Sequence, residues 1–254
     1  MMEVAIVQYS PVWGQVDENL QQVEKIIESL VPGTELVIFP ETFTTGFHPE
    51  PQNIANIDFQ YALDFLKQLS QKTGIAIMGS IACRRDDRYY NTFLLINGIG
   101  HQLYDKVHLF SFGREREAFT QGNGPMIFDF QGKQIRPLIC YDLRFPYISF
   151  EPEPFDLIVY VASWPAPRIH HWQQLLIARA IENQCYTIGV NRTGTDGLGL
   201  SYPGSSMAIS YDGNIINDAE DTAISYIRLD FEAQKHYRSK LPFHTDRMNG
   251  PTLQ

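Results

Sequence analysis

Apolar and polar positions along the chain fall into two recurring patterns. Short apolar runs rich in β-branched residues occupy positions 4–8, 35–39, 75–80, 92–96, 135–140, 157–162 and 186–190, and each predicts a strand. Between them, 19–30, 61–73 and 169–183 carry apolar residues three and four apart, the spacing of an amphipathic helix. In the last of these, Trp172, Leu175, Leu176, Arg179 and Ala180 leave a mostly apolar stripe. Alternating strands and helices predict an α/β fold whose helices cover sheet faces. Asn97-Gly98 separates 92–96 from 101–104, and Asp212-Gly213 separates 206–210 from 214–216. Both dipeptides favour tight antiparallel turns, so the sheets are expected to be mixed. After residue 230 the pattern weakens, and residues 231–254 are expected to form an arm that packs on a partner subunit.

Composition narrows the class. Of 254 residues, 44% are hydrophobic and 19% charged, which excludes a disordered chain or a coiled coil. Absence of repeats, low-complexity tracts and Gly/Ser linkers argues for one domain over 1–254. Twenty Lys and Arg against 29 Asp and Glu leave a net charge of −9, a poor match for nucleic acid or an anionic membrane. The apolar runs are too short to span a bilayer, and the start lacks the basic flank and long apolar core of a signal peptide. Three scattered cysteines form neither a disulfide framework nor a zinc spacing. These features predict a cytoplasmic protein without a metal.

Three segments place a reactive side chain at the end of an apolar strand, where open α/β sheets bind ligands. Glu41 follows Leu36-Val37-Ile38-Phe39-Pro40. Held among Thr42, Phe43 and Phe47, its carboxylate loses solvation and becomes a stronger base, although a loop carboxylate capping backbone amides would fit as well. Lys106 sits in Tyr104-Asp105-Lys106-Val107-His108-Leu109-Phe110, able to face an oxyanion or to form an ordinary pair with Asp105. His108 fits a satisfied structural residue better than a catalytic one. Cys140 ends a strand before a sharp turn, Cys140-Tyr141-Asp142-Leu143-Arg144-Phe145-Pro146, the setting of a nucleophile elbow whose next backbone N–H serves an oxyanion hole. Cys83, beside Arg84-Arg85-Asp86-Asp87-Arg88, is expected to be an exposed hairpin thiol, and Cys185 a core residue.

In the order Glu41, Lys106, Cys140, these segments resemble the carbon–nitrogen hydrolase (nitrilase) superfamily along nearly the whole chain. Arg179-Ala180-Ile181-Glu182-Asn183-Gln184 and Asn191-Arg192 followed by Gly204 and Ser206 extend the resemblance. It implies a four-layer αββα sandwich with two mixed sheets, a Glu-Lys-Cys triad and a homodimer or higher homo-oligomer. Trp164-Pro165-Ala166-Pro167-Arg168 with His171-Trp172, together with the stretch after Glu41, is similar to the YafV-type bacterial omega-amidases. Those remove the terminal amide of 2-oxo-dicarboxylic acid monoamides such as 2-oxoglutaramate and 2-oxosuccinamate.

The resemblance implies Cys140 as nucleophile, its thiolate favoured by Lys106, with Glu41 as general base and acid. The Lys106 ammonium and the Tyr141 amide would hold the oxyanion. Glu115, nine residues after Lys106 and followed by Phe119 and Gly122, fits the family spacing better than Glu117 and would hold Lys106. A substrate carboxylate needs donors, for which Arg168 is the first candidate; Phe43 and Trp164 are the expected apolar walls. Arg144 is expected in a structural ion pair, as are Arg179 and Glu182. No cofactor is implied. An amidase for another small acid amide or a carbamoyl amino acid stays open, as does a non-catalytic binding member.

Overall fold

The computed structural model describes residues 1–151, 154–217 and 223–246. In chain order its elements are β1 (Met2–Val7), α1 (Val16–Glu28), β2 (Leu36–Ile38), α2 (Phe59–Thr73), β3 (Ala76–Arg85), β4 (Arg88–Asn97) and β5 (Gly100–Asp105). They continue with α3 (Glu115–Ala118), β6 (Phe128–Phe130), β7 (Lys133–Ile139), β8 (Leu157–Ala162), α4 (Ile169–Asn183) and β9 (Tyr186–Asn191). The remainder are β10 (Thr193–Thr195), β11 (Ser201–Pro203), β12 (Met207–Ile209), β13 (Ile224–Leu229) and α5 (Phe231–Lys240).

Two mixed sheets carry the fold. One runs β13-β1-β2-β3-β4-β5, the other β12-β9-β8-β7-β6, and β10 pairs with β11 separately. Side chains in a strand alternate between faces, and that period sorts the core into layers. Val4, Ile6, Leu36 and Ile38 face the second sheet and join Leu138, Leu157 and Val159 in one cluster. Their neighbours Ala5, Val7, Val37 and Phe39 face the other way, onto Leu20, Val23 and Ile27 of α1 and Leu63 and Leu66 of α2. Trp172, Leu176 and Ala180 of α4 cover the far side of the second sheet. The result is the αββα sandwich.

Local chemistry explains the boundaries. Asp58 caps α2 by accepting from the Gln60 amide at 3.0 Å, and Gly74, with φ 72°, ends it. α1 begins at Val16, earlier than the apolar spacing suggests, because Asp17 and Glu18 favour its N-terminus. Gly189 lets α4 lie against β9, since a Cβ there would meet Leu176 Cδ1 at 2.3 Å. The Asn97-Gly98 hairpin forms, with Asn97 opposite Gly100. The Asp212-Gly213 turn also forms, but among the described residues beyond it the pairing is limited to an isolated Ile209–Ile215 bridge.

At the periphery one expectation changes and one segment gains a form its spacing conceals. β3 and β4 run to the tip at Asp86-Asp87, both in the left-handed region, so Cys83 sits inside the hairpin, buried beside Thr92 Oγ1 at 3.5 Å. Burial pushes its thiol up to about 11. Residues 231–240 form a helix, which their spacing conceals because only Phe231 and Gln234 are buried. Asp230 caps it, and Arg238 donates to the Phe155 carbonyl at 2.6 Å. Residues 247–254 of the expected arm lie outside the described residues. No helix among the described residues is long and apolar enough to cross a membrane.

Candidate active site

Strand ends from both sheets converge on one cavity of about 350 Å³. Glu41 follows β2, Lys106 follows β5, Cys140 follows β7, and Ser163 and Trp164 follow β8; all five line it. Cys140 has φ 44°, a left-handed conformation that a non-glycine residue seldom adopts, and its neighbour Ile139 is extended. A strand that breaks this sharply turns the thiol out of the sheet toward the cavity. Tyr141 lies in the first turn of the 3-10 segment that follows, where backbone N–H groups have no acceptor within the helix.

Lys106, Glu41 and Glu115 form a buried ion cluster. Lys106 Nζ donates to Glu41 Oε1 and to both Glu115 oxygens, each at 2.9 Å. One N–H aimed between the Glu115 oxygens serves both, so of three ammonium protons one is left for an incoming oxygen. Glu41 Oε2 accepts the Ser163 amide at 2.8 Å. Glu115 Oε2 accepts the Phe110 amide at 2.6 Å, whereas Glu117 points to solvent beside Arg114.

Opposing electrostatic influences meet at the triad. Burial pushes the Cys140 thiol well above its ordinary range, the Glu41 carboxylate adds to this, and Lys106 opposes it without cancelling it. Lys106 thus favours the thiolate, as expected, while burial and Glu41 disfavour it. Burial works against the Lys106 ammonium, but Glu115 and then Glu41 more than offset it and hold the lysine charged. Burial raises the Glu115 carboxyl as well, against the pull of Lys106.

Two arginines reach the cavity where one was expected. Both Arg144 and Arg168 line the cavity, and among the described residues neither makes an ion pair. Arg144 is thus not the structural pair expected; its guanidinium lies 4.9 Å from the Trp164 ring and 3.2 Å from His171 Nδ1. Arg168 lies 5.9 Å from the Phe110 ring. Trp164 is held as a wall by its amide on Asn191 Oδ1 at 2.7 Å and its indole on the Arg168 carbonyl at 2.7 Å. Phe43 is not a wall. It stacks on Phe39 at 5.1 Å inside the layer facing α1 and α2, over Gly79, where a Cβ would meet its ring at 2.7 Å. Phe47, Phe110, Phe112 and Tyr202 supply the remaining apolar lining.

Three further residues were not singled out as site residues by sequence reasoning. Asp142, fully buried, accepts from the Tyr104 hydroxyl, the Ile139 amide and the His108 amide, and faces His108 Nδ1 at 2.8 Å. It ties the loop after Lys106 to the turn after Cys140, and His108 is structural, stacked on Phe145 at 4.0 Å. Asn191 accepts from Trp164 and donates to the Trp164 and Gly204 carbonyls. Asn91, inside β4, donates to Glu41 Oε1 at 2.9 Å and Glu115 Oε1 at 3.2 Å. An Asn at a buried position of β4, ahead of its apolar run at 93–96, was the available signal. Arg179 does pair with Glu182 at 2.9 Å and also donates to the Leu143 carbonyl behind Cys140. Among the described residues, no three His, Cys, Asp or Glu side chains group as a metal site.

This geometry meets close relatives. Residues 3–239 match the carbon-nitrogen hydrolase family. The omega-amidase YafV of Escherichia coli strain K12 is 38% identical over 250 residues, covering 96% of each chain. A 2-oxoglutaramate amidase of Bacillus subtilis strain 168 is 30% identical over the same share of both. A CN-hydrolase superfamily protein of Xanthomonas campestris, solved with an arsenic adduct in its active site, superposes with a TM-score of 0.89 at 32% identity, over 97% of each chain.

Proposed function

The chain belongs to the carbon–nitrogen hydrolase family, and on that premise we propose that it is an omega-amidase, releasing ammonia from the terminal amide of 2-oxo-dicarboxylic acid monoamides such as 2-oxoglutaramate. The observation that carries this reading is one cavity lined both by Glu41, Lys106 and Cys140 and by two guanidiniums, Arg144 and Arg168, that make no ion pair among the described residues. Such a pocket has the groups to take an amide and a carboxylate of one substrate.

Glu41 removes the Cys140 proton as the sulfur attacks the amide carbon. The oxyanion is received by the free N–H of Lys106 and the Tyr141 amide, and loss of one such donor lowers the rate by about 10²–10³-fold. The protonated Glu41 passes its proton to the departing nitrogen, which leaves as ammonia, and a thioester remains on Cys140. Glu41 then takes a proton from water as it attacks the thioester, and returns that proton to the departing sulfur. The 2-oxo acid leaves. Glu115 and the Ser163 amide keep Lys106 and Glu41 in place throughout.

Ammonia release from 2-oxoglutaramate, with succinamate, glutamine and carbamoyl-β-alanine as comparators, tests the substrate. Preference for the oxo acid amide, lost in Cys140→Ala, supports the proposal; preference for a comparator overturns the substrate and leaves the triad. The same reading has the chain associate as a homodimer or higher homo-oligomer through its C-terminal segment, supported by exposed Leu241 and Phe243. Light scattering that finds only monomer at micromolar concentration overturns that part.

A further inference from the structure

Asn91 is the one uncharged side chain, among the described residues, that donates to both carboxylates of the ion cluster. It lies opposite Ala82 in the β3–β4 pair and is buried, and its main-chain carbonyl accepts the Lys106 amide at 2.9 Å. Its Nδ2 reaches Glu41 Oε1 and Glu115 Oε1, the same two oxygens that Lys106 engages. Its Oδ1 is buried with no partner among the described residues. A buried carbonyl without a donor is unfavourable, so the orientation is dictated by the acids: turned over, the amide would set its oxygen against two carboxylates. Two negative charges and one positive charge share this site, and Asn91 supplies the missing donor.

We propose that Asn91 is a positioning residue that holds the Glu41 and Glu115 carboxylates apart and aimed at Lys106. The inference rests on the amidase reading for its consequence in catalysis. Glu41 faces Lys106 beyond β5, Glu115 on α3, Cys140 beyond β7, Tyr202 on β11 and the Ser163 amide beyond β8. With Asn91 removed, Lys106 and the Ser163 amide are the donors left to Glu41, and the charged form of both acids becomes less favourable.

Asn91→Leu has similar volume and no donor. The expected result is kcat lowered roughly tenfold to a hundredfold at neutral pH, KM within about twofold, and the acid limb of the rate profile moved up by about one to two pH units. Asn91 does not line the cavity, so binding is spared. Alkylation of Cys140 by iodoacetamide across the same pH range reads the shift without substrate. It judges the inference even if the wild-type protein proves inactive on 2-oxoglutaramate, an outcome that fails the amidase reading alone. Should Asn91→Leu not fold, Asn91→Ala is read by the same criteria. An acid limb that stays in place in both rate and alkylation profiles, whatever the drop in kcat, overturns the proposal and leaves Asn91 as packing.

Discussion

Replacing Lys106 by methionine isolates the electrostatics of the cluster from its chemistry. Methionine fills the space of the lysine stem but leaves Glu41 and Glu115 without their shared cation. Both Oε1 atoms lie 2.9 Å from Nζ, so they are within twice that distance of each other. At such a separation and an effective dielectric near 20, two carboxylates repel by about 3 kcal/mol. Removing one partner of a buried ion pair typically costs about 3–5 kcal/mol, which agrees. For a chain of this size that is a fall in melting temperature of about 6–20 °C. The sign with pH follows from the repulsion. In the variant the Glu115 carboxyl, already raised by burial, loses the cation that pulled it down, so its unfavourable contribution is full at pH 8 and fades as it takes a proton toward pH 5. Lys106→Met should therefore melt far below the wild type at pH 8 and close most of the gap at pH 5. Adding Glu115→Gln should restore part of the loss at pH 8. Equal deficits at both pH values, or none at either, would refute the cluster as described.

Other positions give independent checks. A Cβ on Gly122 would lie 2.0 Å from the Asp105 carbonyl oxygen, while the Gly122 amide holds the Lys106 carbonyl at 2.9 Å. Gly122→Ala should lower stability by about 1–3 kcal/mol and kcat by roughly tenfold or more through displaced Lys106; unaltered kinetics would contradict that link. Arg144→Leu and Arg168→Leu should each raise KM for 2-oxoglutaramate by roughly tenfold to a hundredfold, as loss of a charged hydrogen bond implies, with little change for an amide lacking a carboxylate. A KM that rises for both substrates alike would assign the arginines to packing.

Much of this architecture was legible because it rests on local periodicity. Strand ends at Glu41, Lys106 and Cys140 follow from apolar runs that stop abruptly, and α4 follows from its three-and-four spacing to the residue. What escaped depends on contacts distant in sequence. Nothing near Phe43 tells that Gly79 opens a slot for its ring, so a residue two positions from Glu41 points away from the cavity. Arg144 resembled a member of an ion pair, yet among the described residues it has no carboxylate partner and it lines the cavity. Charge around Cys83 suggested exposure, yet the paired strands run past it to Arg85 and Arg88 and carry those charges to the tip. Asn91 shows the same limit, since its two partners lie 50 and 24 residues away.

Acid quench of the enzyme during turnover of 2-oxoglutaramate, followed by peptide mass spectrometry, tests the central claim most directly. The account predicts an adduct on the Cys140 peptide with the mass of the substrate less ammonia, present in the wild type during turnover and absent in Glu41→Gln, where Cys140 has no base and the departing nitrogen no acid. Turnover with no adduct at Cys140 under any quench, or ammonia release that persists in Cys140→Ala, would contradict it.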